Sequence, residues 1–430
     1  MKKRIKGVAF CMVFLILLGI VAEPAQEAVE TKRNTITIWA WDDTFNVKAA
    51  KMAAQEYEKT HLDVNVHIIT KEREEILSDT KVILSGKAYE NLPDVIMIED
   101  YDVQDVLESY EDEFVELTDK IDYTRYVDYK NQLCSKDGKG YGIPFDCGTT
   151  ALFYRLDIIE RAGYTQADME NLTWDRYMEI GKNVYAKTGI PMLTLDPTDL
   201  PVVRLIMQSC GSWYVQQDGT TADIVDNEAL YRALEIYKEL LESNLGVSVN
   251  GWNEFISAFQ SGQVATVPSG GWVRSSIVSA DSQSGKWRIA PIPVVSDNEN
   301  AVAASNLGGS AWYVLKNSAN SQEATDFMVN MFVENDRFMD SLITGIGLIP
   351  SLKDPSILSN YDAEDEFFGG QQVTRMLTEM AAEVPTVNYG SKTYELEEII
   401  EDEFQDALQD GNIAEGLKRA QIKAEAVTKN

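Results

Sequence analysis

The sequence predicts an α/β protein, and three observations carry that expectation. Apolar residues alternate over Thr35–Trp39, recur at helical spacing through Val47, Ala50, Ala54 and Tyr57, then alternate again at Val64, Val66 and Ile68. A strand, a helix and a strand in close succession are the pattern of a parallel pair joined by a crossover helix. The alternation continues along the chain without an internal repeat. Finally, 430 residues with 44 % hydrophobic and 10 % aromatic content supply apolar material for two domains.

The elements follow in order. A helical stretch near 72–85 precedes the apolar strand Val95–Ile98, which Leu92 and Pro93 introduce, and a helix runs from about Asp102 to Tyr110. Strands are expected at Tyr141–Pro144 and Ala151–Tyr154, with amphipathic helices near 174–188 and 227–243. In the second helix Leu230, Leu234, Tyr237 and Leu241 form one stripe. Thr173 is a natural N-cap for the first, which makes the adjacent Trp174 a packing residue. Strands at Val264–Val267, Arg288–Pro291 and Ala311–Leu315 are separated by helices near 253–260 and 321–334. The remainder is mainly helical, with Leu396, Ile400 and Phe404 spaced by four and a cationic end (Lys418, Arg419, Lys423) suited to a helix C-terminus.

Charge and composition narrow the function. Sixty-nine acidic residues against 38 basic give a formal net charge of −31, which repels nucleic acid and anionic membrane surfaces. Only two histidines, His61 and His67, are present, so zinc and Ser-His-Asp chemistry are hard to assemble; neither a metal nor a cofactor is expected. At the N-terminus, Lys2, Lys3, Arg4 and Lys6 precede an apolar run of 15 residues, Val8–Ala22. That is a secretory signal, too short for an ordinary spanning helix, with a retained anchor as the alternative because the cleavage site is poor. Cys11 lies inside the run rather than after it, so lipid attachment is the lesser option. Residues 23–34 form a polar tether. Of the exported cysteines, Cys134, Cys147 and Cys210, all are expected to be core residues, with a Cys134–Cys147 disulfide as an alternative.

Several aromatic and acidic residues sit where strands give way to turns, the place where open α/β sheets bind ligands. Trp41, Asp42 and Asp43 follow the first strand; Glu99, Asp100 and Tyr101 follow 95–98; Gly270, Gly271 and Trp272 follow 264–267. Aromatic faces with carboxylates suit a carbohydrate, whose CH faces stack and whose hydroxyls donate. Trp39, Trp174, Trp287 and Trp312 are assigned to packing and Trp41 and Trp272 to the site, while Trp213 and Trp252 lie in loops, open between ligand contact and packing lid.

The ordered motifs resemble a known family. The run Gly138–Asp146 (GKGYGIPFD) is followed by Thr150–Tyr154, Asp157, Ala162 with Gly163, and Leu172–Tyr177. The opening ITIWAW, Leu92–Val95, Phe259–Gly262 with Trp272, Gly308 with Gly309, and Gly347–Pro350 fit in order. Together they resemble the extracellular solute-binding proteins of family 1, the maltose-binding-protein-like sugar-binding subunits of ABC importers, over roughly residues 35–428. The resemblance implies a two-lobe periplasmic-binding-protein-like fold of type II, with a cleft that closes by a hinge motion. Crossings are placed near 147–151, 291–295 and 344–350. The lobes are then 35–147 with 293–344, and 150–290 with 350–430. Positions implied to touch ligand are Trp41, Asp42, Asp43, Glu99, Asp100, Tyr101, Asp146, Thr149, Asp196, Trp272 and Tyr389. The implied function is non-catalytic capture of a carbohydrate, an oligosaccharide in size, by an exported monomer that delivers it to ABC permease subunits. The alternatives are a binding protein for a cation such as a polyamine, a secreted glycoside hydrolase, and a sensor that presents its ligand to a membrane receptor. The family's lipid-attachment cysteine is absent after the apolar run, and Asp196 with Pro197 matches the family loosely.

Overall fold

The computed structural model describes residues 34–429. The signal or anchor segment 1–22, with Cys11, and the tether up to residue 33 lie outside the described residues. Among those described, no helix is long and apolar enough to cross a membrane.

Among the described residues twelve strands are numbered in order: β1 Asn34–Ala40, β2 Val64–Thr70, β3 Val95–Glu99, β4 Ser135–Lys136, β5 Lys139–Gly140, β6 Gly142–Asp146, β7 Thr150–Arg155, β8 Leu193–Leu195, β9 Gly246–Ser248, β10 Thr266–Gly270, β11 Trp287–Ala290 and β12 Ser310–Val314. The main sheet has the order β2-β1-β3-β12-β6. β1 runs parallel to β2 and β3, and the helices Asn46–Tyr57 and Arg73–Gly86 make the crossovers, as the spacing predicts. Both faces of this sheet are covered. Ile36, Ile38, Val95 and Met97 pack into one apolar cluster, while Trp39, Ile96 and Ile98 pack into another. A strand buried on both sides needs no polar alternation, which is why Val95–Ile98 reads as a continuous apolar run. β12 enters antiparallel between β3 and β6.

The second lobe is built on the sheet β10-β7-β11 and the parallel pair β8-β9. Helix Trp174–Thr188 begins at Thr173, whose Oγ1 accepts from the Arg176 amide at 3.1 Å; Trp174 is buried behind it. Thr173→Ala is expected to cost about 1 kcal/mol, measurable as a lower urea midpoint at unchanged slope. The expected helix 321–334 ends at Val329 and continues as a π turn, Asn330–Glu334, that buries Met331, Phe332 and Val333. The C-terminal cations Arg419 and Lys423 pair with Glu403 of the preceding helix, Thr393–Asp410. They tie two helices together rather than serving the end of their own.

Among the described residues we place three passages between the lobes. The first is at 147–149, where the Cys147 amide donates to Ile349 O at 3.2 Å, and Leu307 N to Gly148 O at 2.8 Å. We place the second at 306–309, where the resemblance implies 291–295. Residues 293–305 stay with the second lobe, since Val294 exchanges hydrogen bonds with Leu172 and Trp174, and Val302 N donates to Ser209 O. We place the third at 361–364, beyond the 344–350 that the resemblance implies, because Lys353 N donates to Arg125 O and Asn360 to Asp340 on the first lobe, whereas Asp365 already binds Arg274 on the second. We therefore assign 34–146 with 310–360 to the first lobe and 150–305 with 365–429 to the second.

Cys134, Cys147 and Cys210 are buried free thiols, so the alternative Cys134–Cys147 disulfide is not formed. Burial pushes the thiols of Cys134 and Cys147 up to about 12, which leaves them uncharged and unreactive.

Candidate ligand cleft

A cleft of about 1580 Å³ opens between the lobes. Eight of the eleven positions singled out from the sequence line it: Trp41, Asp42, Asp43, Glu99, Tyr101 and Asp146 from the first lobe, Asp196 and Trp272 from the second. The turn after β1 is fixed by Asp42, which sits at φ 59° and whose Oδ1 accepts from Thr44 N (2.8 Å), Thr44 Oγ1 (2.7 Å) and Phe45 N (3.2 Å). The carboxylate thus holds the loop that presents Trp41. Asp43 accepts from Thr70 Oγ1 at 2.9 Å. Asp146, at the end of β6, accepts from Ser310 Oγ at 2.6 Å, and burial raises its carboxyl above the ordinary range.

On the facing lobe, Trp272 donates from Nε1 to Leu307 O at 2.9 Å. Its ring lies 5.4 Å from that of Trp252, which in turn lies 5.7 Å from Phe255. Asp196 accepts from Thr198 N (2.9 Å) and Thr198 Oγ1 (2.8 Å) through Oδ1, and from Gly251 N (2.7 Å) through Oδ2. Trp252 is half exposed at the cleft wall, whereas Trp213 is buried.

Asp100, Thr149 and Tyr389 do not line the cleft. β3 ends at Glu99, so Glu99 faces the cleft while Asp100 turns inward to an ion pair with Lys130 Nζ at 2.5 Å, both groups buried. Thr149 is fully buried in the first passage. Tyr389 lies beneath Tyr101, ring edge to face at 4.7 Å, and its hydroxyl donates to Gln208 Oε1 at 2.8 Å. These three support the site from below.

The floor of the cleft holds groups the sequence did not single out. Tyr394 donates to Glu99 Oε2 at 2.5 Å across the two lobes, and the Arg73 guanidinium lies 4.4 Å from the Tyr394 ring centre. Arg73 also pairs with Glu99 (3.1 Å), Glu74 (2.6 Å) and Asp102. Arg204 pairs with Asp199 at 2.6 Å and with Glu397, which accepts a further bond from Tyr214 Oη at 2.6 Å. Burial, with Glu397 and Asp199 nearby, pushes Glu401 up to about 8. Partners such as Arg204 and Glu397 are 193 residues apart, and nothing local in either segment marks them. Among the described residues no cluster of His, Cys, Asp or Glu is arranged to hold a metal ion.

Two lobes facing each other across a lined cleft are built to enclose a ligand. A family model of the bacterial extracellular solute-binding proteins matches residues 52–365. The chain is 39 % identical over 389 residues to a lactose-binding protein of Rhizobium radiobacter, covering 90 % of this chain and 92 % of that one. It is 24 % identical over 402 residues to an arabinooligosaccharide-binding protein of Halalkalibacterium halodurans, covering 90 % and 84 %. In structure it is similar to the GacH receptor of Streptomyces glaucescens, solved unliganded and with acarbose (TM-score 0.77, 20 % identity, 93 % of this chain and 99 % of that one). It is also similar to an ABC-transporter-associated binding protein of B. animalis subsp. lactis in complex with β-1,6-galactobiose (TM-score 0.75, 23 % identity, 92 % and 98 %). The chain belongs to the bacterial extracellular solute-binding proteins. It is a carrier and not an enzyme, and its fold is the two-lobe type II form.

Proposed function

We propose that the protein captures an uncharged carbohydrate of two or more units in this cleft and delivers it by hinge closure to the permease subunits of an ABC importer. The observation that carries the reading is the placement of the Trp41 and Trp272 rings on opposite lobes, among hydrogen-bonding groups from both sides. A sugar needs both, stacking for its CH faces and polar groups for its hydroxyls. The lactose-binding relative makes a galactoside the first candidate. A polyamine would need acids converging on one point. Instead Asp42 is committed to its own turn, Asp100 to Lys130, and Glu99 to Arg73 and Tyr394, so the cation reading loses its support. Export through residues 1–22, a monomeric carrier on the outer face of the membrane and no dealings with nucleic acid complete the proposal, the last because of the charge of −31.

The test is a thermal-shift screen of the purified protein with lactose, other galactosides, arabino- and malto-oligosaccharides, spermidine and putrescine. A ligand at 100 times its Kd adds about 2.7 kcal/mol to the folded state. A selective upward shift with one saccharide, recovered intact, is the expected result. A shift with polyamines alone, or a cleaved sugar, would overturn the proposal.

A further inference from the structure

We infer that Asp196 is a positioning residue, which sets the affinity of the cleft by holding the Trp252 ring in place rather than by touching ligand. The inference rests on the carbohydrate reading above.

β8 and β9 run parallel, with Leu195 opposite Ser248, and Val249 N donates to Leu195 O at 3.0 Å. Both strands therefore end at the cleft together. Asp196 is the first residue beyond β8. Its Oδ2 takes the amide of Gly251, the first residue of the ten-residue helix Gly251–Gln260, where the positive end of the helix favours a carboxylate. Gly251 enters the helix at φ 74°, a left-handed conformation that glycine adopts without strain. Asn250 makes no side-chain cap of its own, though its amide donates to Glu254 Oε2 at 2.7 Å from within the helix; the Asp196 bond holds the same turn from outside.

The other end of the carboxylate is equally engaged. Oδ1 takes both the amide and the hydroxyl of Thr198, and the Asp196 carbonyl accepts from Tyr237 Oη at 2.9 Å. Asp196 is thus anchored to its own loop and to a core tyrosine while it grips the start of the helix. Trp252, one residue past the gripped amide, is a large apolar side chain 51 % exposed, with its ring against Trp272 and Phe255. Trp272 is held by its own bond to Leu307 O. Among the described residues the Trp252 indole has no hydrogen-bond partner, so its aim depends on the backbone that carries it and on those two rings.

Asp196→Asn separates positioning from contact. The amide keeps an oxygen for Thr198 but turns an N–H toward the Gly251 N–H. Lactose, and the saccharide giving the largest shift in the screen, would be titrated into wild type, Asp196→Asn, Trp252→Ala and the double variant. Each single change is expected to weaken binding about tenfold, and the double variant no further, because both act through one ring. Losses that multiply to about a hundredfold would show direct contact by Asp196 and sink the inference while leaving the carbohydrate reading intact. Failure of wild type to bind any saccharide would instead overturn that reading. Tryptophan emission tests the grip without any sugar: Asp196→Asn is expected to change it in wild type and not in Trp252→Ala, and an unchanged spectrum in both would overturn the inference.

Discussion

Replacing Lys130 with methionine is expected to destabilise the folded protein by about 3–5 kcal/mol, the cost of leaving a buried charge without its partner. The ammonium is fully buried on the helix Asp128–Leu133, 2.5 Å from Asp100 Oδ1, and Asp146 also acts on it. Burial already pushes Asp100 up to about 7 although Lys130 pulls the other way. Without the ammonium the carboxyl rises further. A carboxyl whose folded value lies above its unfolded one favours the folded state when protonated, and loses that contribution as the pH climbs through the folded value. The deficit of the variant should therefore be larger at about pH 8 than at about pH 5.5, as urea denaturation at both would show. Equal deficits would mean that Asp100 is not the group left stranded. Lys130→Met combined with Asp100→Leu should recover much of the loss, since removing both partners leaves no buried charge on either.

The second large effect is on affinity. Trp272→Ala and Trp41→Ala should each weaken saccharide binding tenfold or more, mostly through faster dissociation, while the thermal midpoint of the protein alone moves by only a few degrees. Both rings are only partly buried at the cleft wall, so little core packing is lost with them. Trp272 reaches its position because Gly270 precedes it closely: a Cβ there would lie 2.3 Å from the Trp272 Nε1 and 2.7 Å from Leu307 O. Unchanged affinity in both variants, measured by calorimetry, would mean that the ligand lies elsewhere.

Much of the fold was legible because its cause is local. The period-two and helical spacings of residues 35–68 gave β1, β2 and their crossover helix, and Thr173 announced the helix it caps. The turns after β1, β3 and β10 supplied cleft residues, because strands end where the lobes face each other. What failed was non-local. Asp100 follows Glu99 in sequence, yet alternation sends it to Lys130 instead of the cleft. Tyr394, five residues beyond the expected Tyr389, reaches Glu99 across 295 positions of sequence. The segment 293–305, aperiodic around the polar run Ser296–Asn300, carries no sign of which lobe its amides will bond.

The insertion of β12 between β3 and β6 has a consequence for biogenesis. The strand that joins β6 to the rest of the first sheet is Ser310–Val314, so roughly three-quarters of the chain must emerge before that sheet can be completed. Until then β3 and β6 each have an unsatisfied edge, and the pairing that closes the gap is long-range and slow.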